Sequence, residues 1–508
     1  MVLRRRRLRP VAREARTGSW TPSLYSAIVR QVSERALDAA SAAGASYADC
    51  RVINRIVQKI TVKNGVVASV ELLEDEGVGI RVLTDGAWGF AAVDVLDAAA
   101  VEDAARHAVR IARASARVNR VPVRLAPAPA LTGEYRTPVV RDPFEVSLDD
   151  KVDLLLRTDA AMSHLPEVRI RECSLEFVRE QRHFASSEGA LLDQTIIESG
   201  GGLDATATSD DEVQTRSFPN SFGRHQICAG WEAIEAFDLP GNAERMAEEA
   251  VALLTADPCP AGVMTVILDA TQAAMQVHES CGHPTELDRV LGHEAAYAGT
   301  SFLTPDLLGT FRYGSEHVTL TADSTRAPGL GTFGWDDEGV AAQRSVLVDQ
   351  GVFTGYLSSR ETAAAIGQLS NGTMRADGWS RLPIIRMTNI NLEPGTSSLE
   401  EMIATTEHGV FLEMNRSWSI DDRRLNFQFG TQNGWEIVDG KRTRLVRNPI
   451  YSGQTPEFWR SCDAVAGPSE WRMYGVVNCG KGQPSQLMHV GHGAAPCRFR
   501  NVKVEPAR

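Results

Sequence analysis

The stretch of this chain best equipped for chemistry runs from Thr271 to Pro284 and reads T-Q-A-A-M-Q-V-H-E-S-C-G-H-P. His278 and His283 bracket Glu279, one residue more than the H-E-x-x-H spacing that puts two imidazoles on one helix face for a metal ion. Residues four apart lie about 40° apart around an α-helix; five apart they lie about 140° apart and about 7.5 Å along the axis. A regular helix would strain to bring both rings to one ion. The spacing therefore predicts that the last turn opens as a π-type turn, which brings i and i+5 closer to register. Gly282 gives the backbone latitude at that point, and Pro284 ends the helix. Two histidines at a helix end can serve structure alone; the adjacent glutamate favours a metal site, with Glu279 as the general base.

A catalytic zinc site usually takes three protein ligands. Cys479, in V-N-C-G-K-G-Q (477–483), follows a strand-like stretch in a glycine-flanked turn that can present a thiolate. Cys281 is a weaker candidate, because inside the histidine motif its side chain faces elsewhere if both histidines face the ion. His489 and His492 form an H-x-x-H pair, and Cys497 is a further thiol. Arg386 and Asn389 could donate to peptide carbonyls or a carboxylate from a cleft wall. The cluster Asp336-Asp337-Glu338 reads as a surface turn.

The elements around these residues indicate an α+β fold. Pro22 opens a helix expected to run to about Ala42, and Val101–Ser115 and Leu148–His164 are further helices, the last capped by Ser147. Strand-sized pieces at 47–53, 58–63 and 66–73 follow the first helix, with Asn64-Gly65 as a hairpin turn. Residues 122–143 hold five prolines and read as a linker. Pro240-Gly241-Asn242 reads as a breaker before a helix over 243–256. After residue 260 short strands dominate, including 262–269, a hairpin over 343–356 and another at Asp439-Gly440. We expect a basic, disordered tail over 1–20, an N-terminal α+β domain over 21–257, and a predominantly β C-terminal domain over 258–508 that carries the metal-binding helix.

Composition narrows the function. The 508 residues carry 53 basic and 65 acidic side chains, a net −12, and seven of the arginines fall within residues 1–16, so the remainder is more acidic still. That argues against a nucleic-acid partner. No apolar run is long enough to span a membrane, so no membrane association is expected. Eight scattered cysteines without C-x-x-C spacing fit a reducing, cytoplasmic interior rather than a disulfide framework.

Taken together, the glycine hairpin 77–92, His278–His283, G-W-D-D-E-G-V (334–340), R-A-D-G-W-S-R-L-P-I-I-R-M-T-N-I-N-L-E-P-G (375–395) and the C-G-K-G turn resemble the TldD/PmbA family of cytoplasmic metallopeptidases, on the TldD side. The resemblance covers nearly the whole chain beyond residue 20. It implies one zinc ion per chain, held by His278, His283 and Cys479, with Glu279 catalytic. It also implies small or unfolded peptides as substrate, threaded as a strand, and a homodimer or a heterodimer with a homologous PmbA/TldE-like chain. That partner type lacks the histidine–glutamate motif, which is complete here. Ser280-Cys281 and the histidines of 485–492 depart from the family pattern. The alternative function is a non-catalytic peptide-binding or scaffold subunit with a structural metal or none.

Overall fold

The computed structural model of the chain describes residues 22–297 and 299–507. The arginine-rich segment expected to be disordered lies outside the described residues. The first half is organised around one sheet of long strands: β1 (Tyr47–Lys63), β2 (Val66–Thr84), β3 (Ala87–Val93), β4 (Thr132–Arg136), β5 (Val168–Ser186), β6 (Leu191–Thr208), β7 (Val213–Phe218) and β8 (His225–Ile227). Their order is β3-β2-β1-β5-β6-β4, with β7 and β8 also paired to β6. Asn64 and Gly65, at φ 49° and 75°, make the tight turn between β1 and β2. The strands are longer than the separate pieces expected from sequence, because antiparallel pairing carries β1 and β2 unbroken through their polar middles. The presumed linker contains β4, which adds to β6 in parallel.

Helices α1 (Pro22–Ala42), α2 (Ala98–Ala116), α3 (Leu148–Ala161) and α4 (Leu239–Thr255) cover this sheet. Val29, Val32, Ala36 and Ala105 pack with Val52, Val78 and Ile80; Leu155, Met246 and Ala250 belong to a second cluster with Ile60, Phe177 and Leu203. Pro240 and Gly241 lie inside the first turn of α4 rather than before it. A proline there gives up an N–H that has no helical partner, so it starts the helix instead of breaking it.

The second half is predominantly β. Strands β9 (Gly262–Leu268), β10 (His408–Ile420), β11 (Asn426–Val438), β12 (Lys441–Arg447), β13 (Pro449–Gln454), β14 (Arg472–Lys481), β15 (Gln486–Ala494) and β16 (Cys497–Pro506) are its main elements. β10, β9, β16, β13 and β11 pair in that order, and β11 pairs back to β10, so five strands close on themselves. β14 and β15 form a separate antiparallel hairpin. Helix α5 (Ala270–Val277) leaves the end of β9, where Val266, Ile267 and Leu268 are fully buried. Among the described residues no helix is long and apolar enough to cross a membrane.

Asp336, Asp337 and Glu338 are not at the surface as expected; all three are buried. Arg81 from β2 donates to Asp49 at 2.6 Å and to Glu338 at 3.2 Å, and Arg182 from β5 donates to Asp337 at 2.5 Å. The acidic loop thus ties the second half of the chain to the face of the N-terminal sheet. Removing one member of such a buried network costs about 3–5 kcal/mol, because the other charge is stranded.

Candidate metal centre

Asp269 caps α5, its carboxylate accepting from the N–H groups of Thr271 and Gln272. Burial, reinforced by Glu413, pushes this acid up to about 6 against those hydrogen bonds. The α-helix then gives way to a π-turn over His278–Gly282, closed by the His283 N–H on the His278 carbonyl. Widening the turn leaves carbonyls unpaired, and side chains fill the gap. Tyr313 Oη donates to the Ser280 carbonyl at 2.5 Å, and Thr285 Oγ1 lies 3.0 and 2.8 Å from the carbonyls of Cys281 and Gly282. The π-turn expected from the five-residue spacing is therefore present, but Gly282 serves it differently. Its φ is an ordinary −69°, whereas a Cβ there would lie 2.2 Å from Met387 Sδ. The glycine admits a close neighbour rather than an unusual dihedral.

The two imidazoles face each other edge to face, their centroids 5.0 Å apart. Cys479 lies within β14 rather than in the glycine-flanked turn expected, because Cys479, Gly480 and Lys481 all pair with β15; that pairing slips by a bulge between Val476 and Cys479. Bulges re-aim side chains next to functional sites. Cys479 Sγ lies 3.7 Å from His283 Nε2, and one ligand atom each from His278, His283 and Cys479 falls within 4.8 Å of the others. Zinc bonds of about 2.0–2.1 Å to nitrogen and about 2.3 Å to sulfur, at a tetrahedral angle, separate N from S by about 3.6 Å. The donor set fits zinc in identity and in spacing.

Each imidazole is oriented from behind. His278 Nδ1 is 2.7 Å from His492 Nε2, and His492 Nδ1 reaches the Ile390 carbonyl at 3.3 Å. A proton on His492 Nδ1 and one on His278 Nδ1 satisfy this chain and leave His278 Nε2 free to ligate. His283 Nδ1 is 3.0 Å from Glu286 Oε2, which leaves its Nε2 free. Such partners fix the tautomer and raise ligand basicity. Burial pushes both candidate histidines down, His283 well down, which favours the neutral form that ligation requires. Burial alone would raise the Cys479 thiol, but Arg386 and His283 hold it below its ordinary range.

Glu279 is almost fully buried, with Oε1 4.0 Å from His278 Nε2 and Oε2 accepting from Arg424 Nη1 at 2.8 Å. One oxygen is pinned and the other faces the ligand atoms. Arg424 sits in the β10–β11 turn at φ 61°.

Arg386 and Asn389, expected to line a cleft, do not. Both are fully buried. Arg386 donates to the carbonyls of Cys479 and Gln486 and so braces the ligand-bearing hairpin. Asn389 Nδ2 donates to the Asp323 carbonyl and Thr332 Oγ1, and its Oδ1 accepts from the Gly331 N–H. Cys281 turns away from the histidines, taking a contact from Tyr313 Oη at 3.1 Å, with its thiol pushed up to about 12 by burial. Cys497 is fully buried in the core, and His489 pairs with Glu198 outside the cluster. His492, weighed as a possible ligand, lies behind His278 of the candidate cluster instead of joining it. Sequence reasoning missed Glu286, which its position three residues past His283 could have signalled, and Arg424, which carries no motif.

The family descriptions of the PmbA/TldA metallopeptidase match three parts of the chain: domain 1 at residues 48–112, the central domain at 141–256, and the C-terminal domain at 261–505. A metalloprotease of Methanothermobacter thermautotrophicus is 30% identical over 90% of this chain and 95% of its own length. A metalloprotease of Methanocaldococcus jannaschii is 29% identical over 89% of this chain and 95% of its own. The crystal structure of TldE from Thermococcus kodakarensis shares the fold at a TM-score of 0.73, with 18% identity over 93% of this chain and 99% of that one. With matched domains covering most of its length and a His–His–Cys cluster assembled from its π-turn and β14, the chain belongs to the TldD/PmbA metallopeptidase family and is a peptidase.

Proposed function

We propose that the chain hydrolyses peptide bonds in small or unfolded polypeptides, with zinc held by His278, His283 and Cys479 and with Glu279 as the base. The observation that carries this reading is the division of labour within one carboxylate: Glu279 Oε2 is held by Arg424 while Oε1 faces His278 Nε2. Zinc bound by these residues supplies Lewis-acid polarisation of a carbonyl and lowers the pKa of a coordinated water toward about 7. Glu279 Oε1 takes a proton from the attacking water and returns it to the departing amine. Arg424 keeps the carboxylate in one rotamer through that exchange. Arg386, on the Cys479 carbonyl, keeps the thiolate-bearing strand in place.

A cavity of about 350 Å³ between the N-terminal sheet and the β14–β15 hairpin adjoins the site through Val477 and Asn478. Its volume admits a short stretch of extended chain and not a folded protein. We assign the sheet-bearing half, 21–257, to shaping that cleft and 258–508 to the chemistry, and we expect the chain to work as a dimer with itself or with a homologous TldE-like chain. Eight unpaired, buried cysteines support a reducing, cytoplasmic setting. A scaffold subunit would have no use for a carboxylate held this way.

Glu279→Gln removes the base and preserves shape. It is expected to keep near-stoichiometric zinc while hydrolysis of an unfolded polypeptide falls by about 10²–10⁴. Undiminished hydrolysis would refute the assignment.

A further inference from the structure

Beside the metal centre lies a second cavity of about 240 Å³ that the hydrolytic machinery leaves unused. One wall is the face of α5 that carries Thr271, Ala274 and Met275. On a helix these positions share a stripe with His278, three to seven residues on, so the wall runs into the first ligand within one turn, about 5 Å. The opposite wall is Tyr474 to Asn478, which leads without a gap to Cys479. The cavity is therefore bounded by the two segments that deliver a histidine and the cysteine.

Its mouth is framed by two aromatic rings left unusually open. Phe222 is 47% and Trp418 40% exposed, with ring centroids 6.2 Å apart. Phe222 is held at φ 60°, a region that bulky side chains seldom occupy and that recurs at ligand clamps. The lining is mostly apolar, and Arg224 is its one charged group among the described residues. Taking about 30 Å³ as the space of one water, the cavity holds about eight non-hydrogen atoms, the size of a large side chain.

From this we infer that the cavity is a specificity subsite, which takes the large apolar or aromatic side chain of a residue adjoining the scissile bond. The inference rests on the peptidase reading and adds the class of residue selected. Lysine and arginine are disfavoured, because a cation buried there meets Arg224 and no carboxylate.

The test uses the zinc-loaded full chain and short glycine–serine peptides that differ only in a central Phe, Ala or Lys. Hydrolysis is followed with the unmodified chain, and binding with Glu279→Gln. The Phe peptide should bind and be cleaved about 10–200-fold better than the Ala peptide, the range a hydrophobic pocket can discriminate. The Lys peptide should be poorest. Met275→Trp, which fills the cavity, and Phe222→Ala, which removes an exposed wall, should each lower the Phe-to-Ala ratio at least tenfold, with zinc content reporting that the variants are folded. Phe-selective binding with no hydrolysis of any peptide would support the subsite and refute the peptidase reading. Hydrolysis or binding indifferent to the central residue, no binding at all, or a ratio untouched by both variants would overturn the subsite.

Discussion

Arg424 Nη1 lies 2.8 Å from Glu279 Oε2, joining two residues 145 positions apart in the sequence. The turn that carries Arg424 is fixed by Asp421, whose carboxylate accepts from the N–H groups of Arg423, Leu425 and Asn426. The guanidinium is thus presented by a preorganised loop, and Glu279 has one oxygen committed before any substrate arrives.

Loss of that contact should show in turnover rather than in metal content. Arg424→Met is expected to retain zinc and to lose about 10–160-fold in kcat, the factor that about 1.5–3 kcal/mol of charge-assisted hydrogen bond represents. KM should change little, and Arg424→Lys should recover part of the loss. Equal losses in Lys and Met variants would argue against a positioning role.

His492 should matter to the metal although it is not a ligand. His492→Phe removes the acceptor behind His278 Nδ1 and frees the imidazole to rotate. Zinc affinity, measured by competition with a chelator, is expected to weaken by about 10–100-fold. Unchanged affinity would show that His278 is oriented by packing alone.

The π-turn has little room. Gly282→Ala puts a methyl into Met387, and overpacking of this kind costs about 1–3 kcal/mol. In a Met387→Ala background the same glycine substitution should cost less, because the clash is with a side chain rather than with backbone, although Met387→Ala by itself costs about 2–5 kcal/mol for the buried volume it removes. Chemical denaturation of both single variants and the double variant reads the difference, and an equal cost of Gly282→Ala in the two backgrounds would contradict it.

Acid should unfold the N-terminal sheet through Glu180. Burial alone would raise this carboxyl, but Arg182 and Arg55 hold it well below its ordinary 4.5. A depressed native pKa means stability that is present above about 4.5 and lost as pH falls below it. Glu180→Gln should be less stable at pH 7 and should show a shallower decline in urea midpoint between pH 5 and about 3.

Much of this site is local, and what is local was legible. The five-residue spacing of His278 and His283 demanded an irregular turn, and Asn64-Gly65 and Asp439-Gly440 marked their hairpins by backbone chemistry. Cys479 could be nominated from its glycine-rich surroundings, although it lies within β14 rather than in a turn and the choice among several thiols and histidines needed the family resemblance. What failed was decided by strand pairing across long separations. Arg386 and Asn389 have the donors of a cleft wall, but the sheets bury them, and they serve other strands. Asp336-Asp337-Glu338 holds three acids and reads as exposed, yet arginines from β2 and β5 arrive at Glu338 and Asp337, and backbone N–H groups hold Asp336. Arg424 acts only because β10 and β11 bring their turn over α5.

The most direct test of the account is the zinc content of two purified cysteine variants. Cys479 Sγ lies among the ligand nitrogens, and Cys281 faces Tyr313. Cys479→Ala should lose zinc on dialysis, and Cys281→Ala should hold close to one equivalent per chain, as should the unmodified protein. Full occupancy in Cys479→Ala, or loss confined to Cys281→Ala, would contradict the centre described here.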